Sequence, residues 1–232
     1  MKIKPFEAMK TITLKLYSFN ELEKTAKEKA LTIYRDLNVN FDWWDDEFED
    51  FIDLCSYMGI KVIKDKIKFR GFYSQGDGSG FSAMVDIPKL LIAVANQSWK
   101  DYAPMQEFQF SAPQIDRRVL ALVANNLLPS EPQIISRSRQ FGVVTDLGIS
   151  EVIKDGKTHD NIFEELDKLE EWLRSVAEIL NRYLYRSLEN QYEFLTSESA
   201  IKESILTNEY LFTADGRSAN HLVEHNKCTP KN

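Results

Sequence analysis

The sequence predicts an α+β fold: a small antiparallel sheet packed on one side by helices, including a long C-terminal helix, with a mostly helical insertion. Three observations carry that expectation. Short runs alternate apolar and polar residues at period two, as residues 11–17 do with Ile12, Leu14 and Leu16 against Thr13 and Lys15. A much longer run repeats Ile162, Leu166, Leu169, Leu173, Val176, Leu180 and Tyr183 at spacings of four and three. Composition is ordinary for a folded domain, with 43% hydrophobic and 28% charged residues among 232.

The elements follow in chain order. After the first strand, Ser18 stands three residues before Glu21, the spacing at which each can satisfy the other's backbone donor at a helix start. Leu22, Ala26, Ala30, Ile33 and Leu37 then mark one helical face. Asp42 is placed to cap a second helix, whose stripe is Trp44, Phe48, Phe51, Ile52, Cys55 and Met58, and Gly59 is placed to end it. Residues 60–63 and 66–73 read as strands, with residues 81–85 as the partner strand and residues 74–80 as the turn between them.

Residues 87–135 carry two apolar helical runs around Pro104 and Pro113, and read as a helical insertion on the edge of the sheet. Strand patterning returns at Ile134-Ile135, at residues 141–144 and at Val152-Ile153. The long helix runs from Asp160 to about Leu195, Ser197 opens a short last helix, and residues 209–213 read as a final strand. Residues 1–217 are thus expected to form one α+β domain, with 218–232 as a flexible tail.

Several function classes are excluded or disfavoured. No run approaches about 18 consecutive apolar residues, so no membrane-spanning helix is expected. Two cysteines, Cys55 and Cys228, are too few for a disulfide scaffold. No secretory signal is legible, and a reducing cytoplasm is the expected compartment. The net charge of −7 disfavours nucleic-acid binding, though a local basic patch stays open. His221 and His225 are four apart, but H-E-x-x-H fails and the ligands around them match no metal spacing. No nucleophile elbow, P-loop or dinucleotide fingerprint occurs. No cofactor, no metal and no catalytic residue is expected, and a carboxylate- and metal-dependent hydrolase is carried only as a third reading.

Two local features remain. Asp42, Asp45, Asp46, Glu47, Glu49, Asp50 and Asp53 fall within twelve residues with no Lys or Arg among them. The stretch from Gly71 to Phe81 holds four glycines, and freed amide groups there could form an anion nest; the bland alternative is a wide hairpin loop whose Asp77 and Ser74 bond their own backbone.

The run Asn38-Val39-Asn40-Phe41-Asp42-Trp43-Trp44-Asp45-Asp46, then Phe69-Arg70-Gly71-Phe72-Tyr73-Ser74-Gln75-Gly76-Asp77-Gly78-Ser79-Gly80-Phe81, resembles a family of small uncharacterised proteins from tailed phages and prophages. The ending, Asn208-Glu209-Tyr210-Leu211-Phe212-Thr213-Ala214-Asp215-Gly216, is similar to the same family. The resemblance covers the first ~85 residues and the last third; residues 87–150 lie outside it, and Tyr73 stands where the family usually has Trp. Members are sometimes labelled antitoxins of a toxin–antitoxin stability system. The resemblance therefore implies a mobile-element context and action in the host cell's cytoplasm.

Two function classes follow as expectations. The first is a non-enzymatic accessory protein that binds and neutralises a host or toxin protein through Asp42, Trp43, Asp45, Asp46, Glu49 and Asp50. Its acidic face would mimic phosphates in a basic groove. The second is a protein that sequesters a nucleotide-like anion through Lys68, Arg70, Tyr73, Ser74, Gln75, Gly76, Asp77 and Gly78. A homodimer through the 162–183 stripe is a further expected assembly.

Overall fold

The computed structural model describes residues 13–128, 131–137, 141–149, 153–154, 157–158 and 160–222. In chain order the elements are β1 (Tyr17–Ser18), α1 (Lys24–Ile33), α2 (Asp45–Tyr57), β2 (Ile60–Val62), β3 (Lys68–Arg70), β4 (Gly78–Gly80) and β5 (Ala83–Val85). Then come α3 (Ile87–Asn96), α4 (Arg117–Ala124), β6 (Gln133–Ser136), β7 (Val143–Asp146), β8 (Ile153–Lys154), β9 (Lys157–Thr158), α5 (Asp160–Leu195), α6 (Glu198–Thr207) and β10 (Leu211–Phe212). The fold is α+β, as expected.

The contacts divide the chain into two compact units. The larger comprises residues 44–191, and the smaller comprises residues 1–43 together with 192–232.

In the larger unit β2, β5, β6 and β7 make one antiparallel sheet in the order β2-β5-β6-β7. Its side chains obey the period of two. Ile60, Val62, Ala83, Val85, Ile134, Val143 and Thr145 are buried, while Lys61, Met84, Ile135 and Asp146 are exposed. The sheet therefore has one wet face and one face turned to the core. There Phe51 of α2 meets Phe81 edge-to-face at 5.0 Å, and the Thr145 hydroxyl donates to the Glu170 carbonyl of α5.

Three expectations are corrected here. Residues 81–85 are not the hairpin partner of residues 66–73; β3 pairs with β4, register Lys68↔Gly80 and Arg70↔Gly78, and β5 joins the sheet instead. The helical segment does hold α3 and α4, but it does not stay on the sheet edge: its last residues become β6, an interior strand between β5 and β7. Finally, the stripe of α5 is core. Leu166, Leu169, Leu173, Val176 and Leu180 are at most 4% exposed, so no seam is left there for a second copy.

The smaller unit is held by Phe19, Leu22, Ala26, Ala30, Ile201, Ile205 and Phe212. The Ser18 backbone N–H and hydroxyl both donate to the Glu21 carboxylate, as the spacing predicts, but what they close is a 3₁₀ turn over Phe19–Glu21. Leu22 is extended at ψ 147°, which delays α1 to Lys24. The first strand is shorter than its pattern: of residues 13–18 only Tyr17–Ser18 pairs, with β10. Residues 218–220, expected in a loose tail, are tied in. Ala219 is fully buried, and Leu211 N–H donates to Asn220 Oδ1 at 2.7 Å. His225 and Cys228 lie outside the described residues; His221 is exposed.

Candidate functional site

Two regions of the larger unit hold all of the candidate residues but Asp42 and Trp43. The glycine-rich stretch comes first. Gly71 has φ +53° and Gly76 φ +91°, left-handed conformations that favour glycine. The reversal between them is closed by Asp77, whose carboxylate accepts the N–H groups of Tyr73 (2.9 Å) and Ser74 (2.6 Å). Asp77 N–H in turn donates to the Ser74 carbonyl at 3.1 Å. Of the loop amides expected to cradle an anion, that of Ser74 is thus taken by a carboxylate of the same loop, a bond of the kind the self-bonded hairpin reading expects.

The hairpin's second strand then lies flat on other elements. A Cβ at Gly78 would stand 2.7 Å from Phe141 Cβ, and one at Gly80 would stand 2.4 Å from Ser136 Oγ. Only glycine permits that approach. Between them Ser79 is buried, with its Oγ 2.9 Å from Asn181 Oδ1 and 3.0 Å from the Asn181 carbonyl. Asn181 Nδ2 donates back to the Ser79 carbonyl at 3.0 Å. The Tyr185 hydroxyl reaches the Gly71 carbonyl at 3.3 Å, and its ring meets Phe72 at 5.6 Å. The hairpin is therefore fastened to α5 at two levels one helical turn apart.

This seating leaves a cleft of about 550 Å³ between residues 77–79 of the hairpin, residues 137 and 141–143, and α5. Arg137, Arg174 and Arg182 reach it from separate places, Phe141 and Tyr185 give it aromatic walls, and Glu178 and Asp77 are its carboxylates. Arg174 makes one loose contact to Glu170, 3.6 Å away on the same helix. Arg137 and Arg182 make no ion pair among the described residues. Three guanidiniums thus line one concavity together with two carboxylates, and a guanidinium can meet a phosphate or carboxylate in bidentate fashion.

Of the ligand residues expected from sequence, only Asp77 and Gly78 line this cleft. Lys68, Arg70, Tyr73, Ser74, Gln75 and Gly76 are exposed but stand elsewhere on the hairpin. Arg137, Arg174, Arg182, Asn181 and Tyr185 were not legible as one site. The signal that could have found Arg174 and Arg182 is their spacing of eight on one helix, about 12 Å along its axis.

The second region is α2. Trp44, not Asp42, occupies the position before its first turn. Asp45, Asp46, Glu49, Asp50 and Asp53 are exposed. Glu47 is partly buried and accepts from the Ser187 hydroxyl. Glu49 pairs with Lys64 at 2.5 Å, and Asp50 accepts the Tyr102 hydroxyl at 2.8 Å, which pushes that phenol up to about 12. Asp42 and Trp43 belong to the smaller unit. Trp43 is only 8% exposed, with its ring 5.8 Å from Tyr192, so it is not the exposed contact expected of it. Cys55 is fully buried, and desolvation pushes its thiol up, away from the nucleophilic thiolate. Among the described residues no cluster of His, Cys, Asp and Glu is arranged to hold a metal ion. No helix among them is long and apolar enough to cross a membrane.

The model of one family, a domain of unknown function, DUF8835, matches residues 43–198. That is more than half of the chain, and the chain belongs to this family. The matched span encloses the larger unit, and with it the arginine cleft and α2. No curated protein and no solved structure matches the chain.

Proposed function

We propose that this DUF8835 protein is a binding protein for a nucleotide-like anion, held in the cleft beside the glycine-rich hairpin. One observation carries the reading: Arg137, Arg174 and Arg182 converge on a concavity walled by Phe141 and Tyr185. The planar fork of a guanidinium can meet two oxygens of a phosphate, and the aromatic walls suit a flat ring system. The site differs from the amide nest expected of the loop, because side chains of other elements supply its positive charge.

The test is a thermal-shift series with inorganic phosphate and nucleoside monophosphates. A ligand that binds only the folded chain raises Tm by mass action. The account expects a rise at millimolar nucleotide that is lost in Arg137→Ala and Arg182→Ala. No shift with any of these anions would remove the reading.

A second reading is supported by α2, which presents Asp45, Asp46, Glu49, Asp50 and Asp53 to solvent. In this reading the chain neutralises a host or toxin protein by occupying its basic groove. It would act in the cytoplasm, where the free thiol of Cys55 is stable.

A further inference from the structure

Residues 102–116 form a long connection ahead of α4, and it is strapped down rather than loose. The Trp99 indole N–H donates to the Gln106 carbonyl at 3.0 Å, and the Trp172 indole N–H to the Ser111 carbonyl at 2.6 Å. Asp116 N–H reaches the Glu165 carboxylate at 2.5 Å. Between the two indole anchors the side chains alternate with the period of a strand. Glu107 and Gln109 are exposed, while Phe108 is buried and Phe110 partly so. Phe108 and Phe110 pack on Trp99 at 5.6 and 5.1 Å, and Phe108 also meets Tyr183 at 5.3 Å.

Yet this stretch belongs to no sheet. Among the described residues, the backbone N–H and C=O groups of Glu107, Phe108, Gln109 and Phe110 have no backbone partner. A fixed, strand-like segment with unpaired main chain is a template for another strand. Alongside it runs a groove of about 300 Å³, bounded by residues 106–109 on one side and by Ile179, Arg182, Tyr183 and Arg186 of α5 on the other. Its floor is apolar, from Phe108, Ile179 and Tyr183. Arg182 and Arg186 are exposed, one helical turn apart, and in no ion pair among the described residues. The groove's own carboxylate, Glu107, is engaged by Lys100 at 2.8 Å.

We infer that this groove takes an extended, acidic peptide segment of a partner protein by strand addition. The peptide's main chain pairs with residues 107–109. Its apolar side chains rest on Ile179 and Tyr183, and its carboxylates meet Arg182 and Arg186. Charge selects this occupant: the two unpaired guanidiniums favour acidic over basic or neutral segments. The inference is independent of the anion cleft, with which it shares only Arg182, so its test uses Arg186 and Gln109.

The experiment is a selection of random short peptides displayed against the full chain. The strongest peptide is then synthesised and its binding read by fluorescence anisotropy. The expected result is enrichment of sequences that alternate acidic and apolar residues. Arg186→Glu should weaken the synthetic peptide at least about tenfold, since a charge-assisted bond is lost and a repulsion gained. Gln109→Pro, which removes an amide and blocks pairing, should weaken it similarly while Tm stays near that of the wild type. Should Gln109→Pro not fold, N-methylation of alternate peptide amides tests the same main-chain bonds and should abolish binding. No enrichment, or a peptide whose affinity survives Arg186→Glu or N-methylation, would overturn the proposal. So would a dimer in light scattering that Gln109→Pro dissolves, because a second copy would then own the groove.

Discussion

Asp116 shows what a single carboxylate contributes at a helix end. It accepts Arg118 N–H at 2.7 Å and also meets the Arg118 guanidinium, at 3.2 Å to Nε and 3.1 Å to Nη2. These Arg118 contacts hold its carboxyl down at about 2. Since the folded value is depressed below the ordinary ~3.9, its stabilising contribution is present above ~3.9 and is lost as pH falls through about 2. Acid unfolding of wild type and Asp116→Ala, followed by circular dichroism, should therefore differ near about pH 5 and converge below about pH 2. At the same scale Asp77 explains why the glycine-rich stretch was only half legible. The self-bonded alternative was already visible in the residue types. The sequence could not show that the Asp77 carboxylate engages two amides of its own loop, Tyr73 and Ser74. Trp43 failed for a related reason: its neighbours in sequence are acidic, but its ring is buried and lies against Tyr192.

Among the elements, α5 was the most legible, because a stripe at spacings of four and three needs a continuous buried face. The hairpin was the least. Gly78 and Gly80 read as turn residues because glycine is depleted in strands. Here they are strand residues, and their missing side chains are what lets β4 lie against Phe141 and Ser136. Gly80→Ala should cost roughly 1–3 kcal/mol in urea unfolding, as an overpacked contact does, because its Cβ would stand 2.4 Å from Ser136 Oγ. It should also weaken anion binding, since the displaced strand carries one wall of the cleft. The face of α2 answers to a different test. Neutralising its exposed Asp46 and Asp53 as Asn should abolish capture of a basic protein partner and leave the helical circular dichroism unchanged. Capture that survives both changes would discard the acidic-face reading.

For the molecule as a whole, net charge and composition set the class but not the site. A chain of net charge −7 still gathers three guanidiniums in one cleft, because Arg137, Arg174 and Arg182 come from positions up to 45 residues apart that only the fold unites. Nor was the division into two units legible: residues 1–43 and 192–232 belong together through pairings such as β1 with β10, which no local pattern announces. Binding in the arginine cleft should be electrostatic in part and so weaken with added salt. Isothermal titration of a nucleoside monophosphate into the wild-type chain and into an Arg137→Ala, Arg182→Ala double variant tests the central claim most directly. The account predicts saturable one-site binding to the wild type, weakened by salt, and its loss in the double variant with Tm preserved. Absence of heat with the wild type, or equal affinity in the double variant, would contradict it.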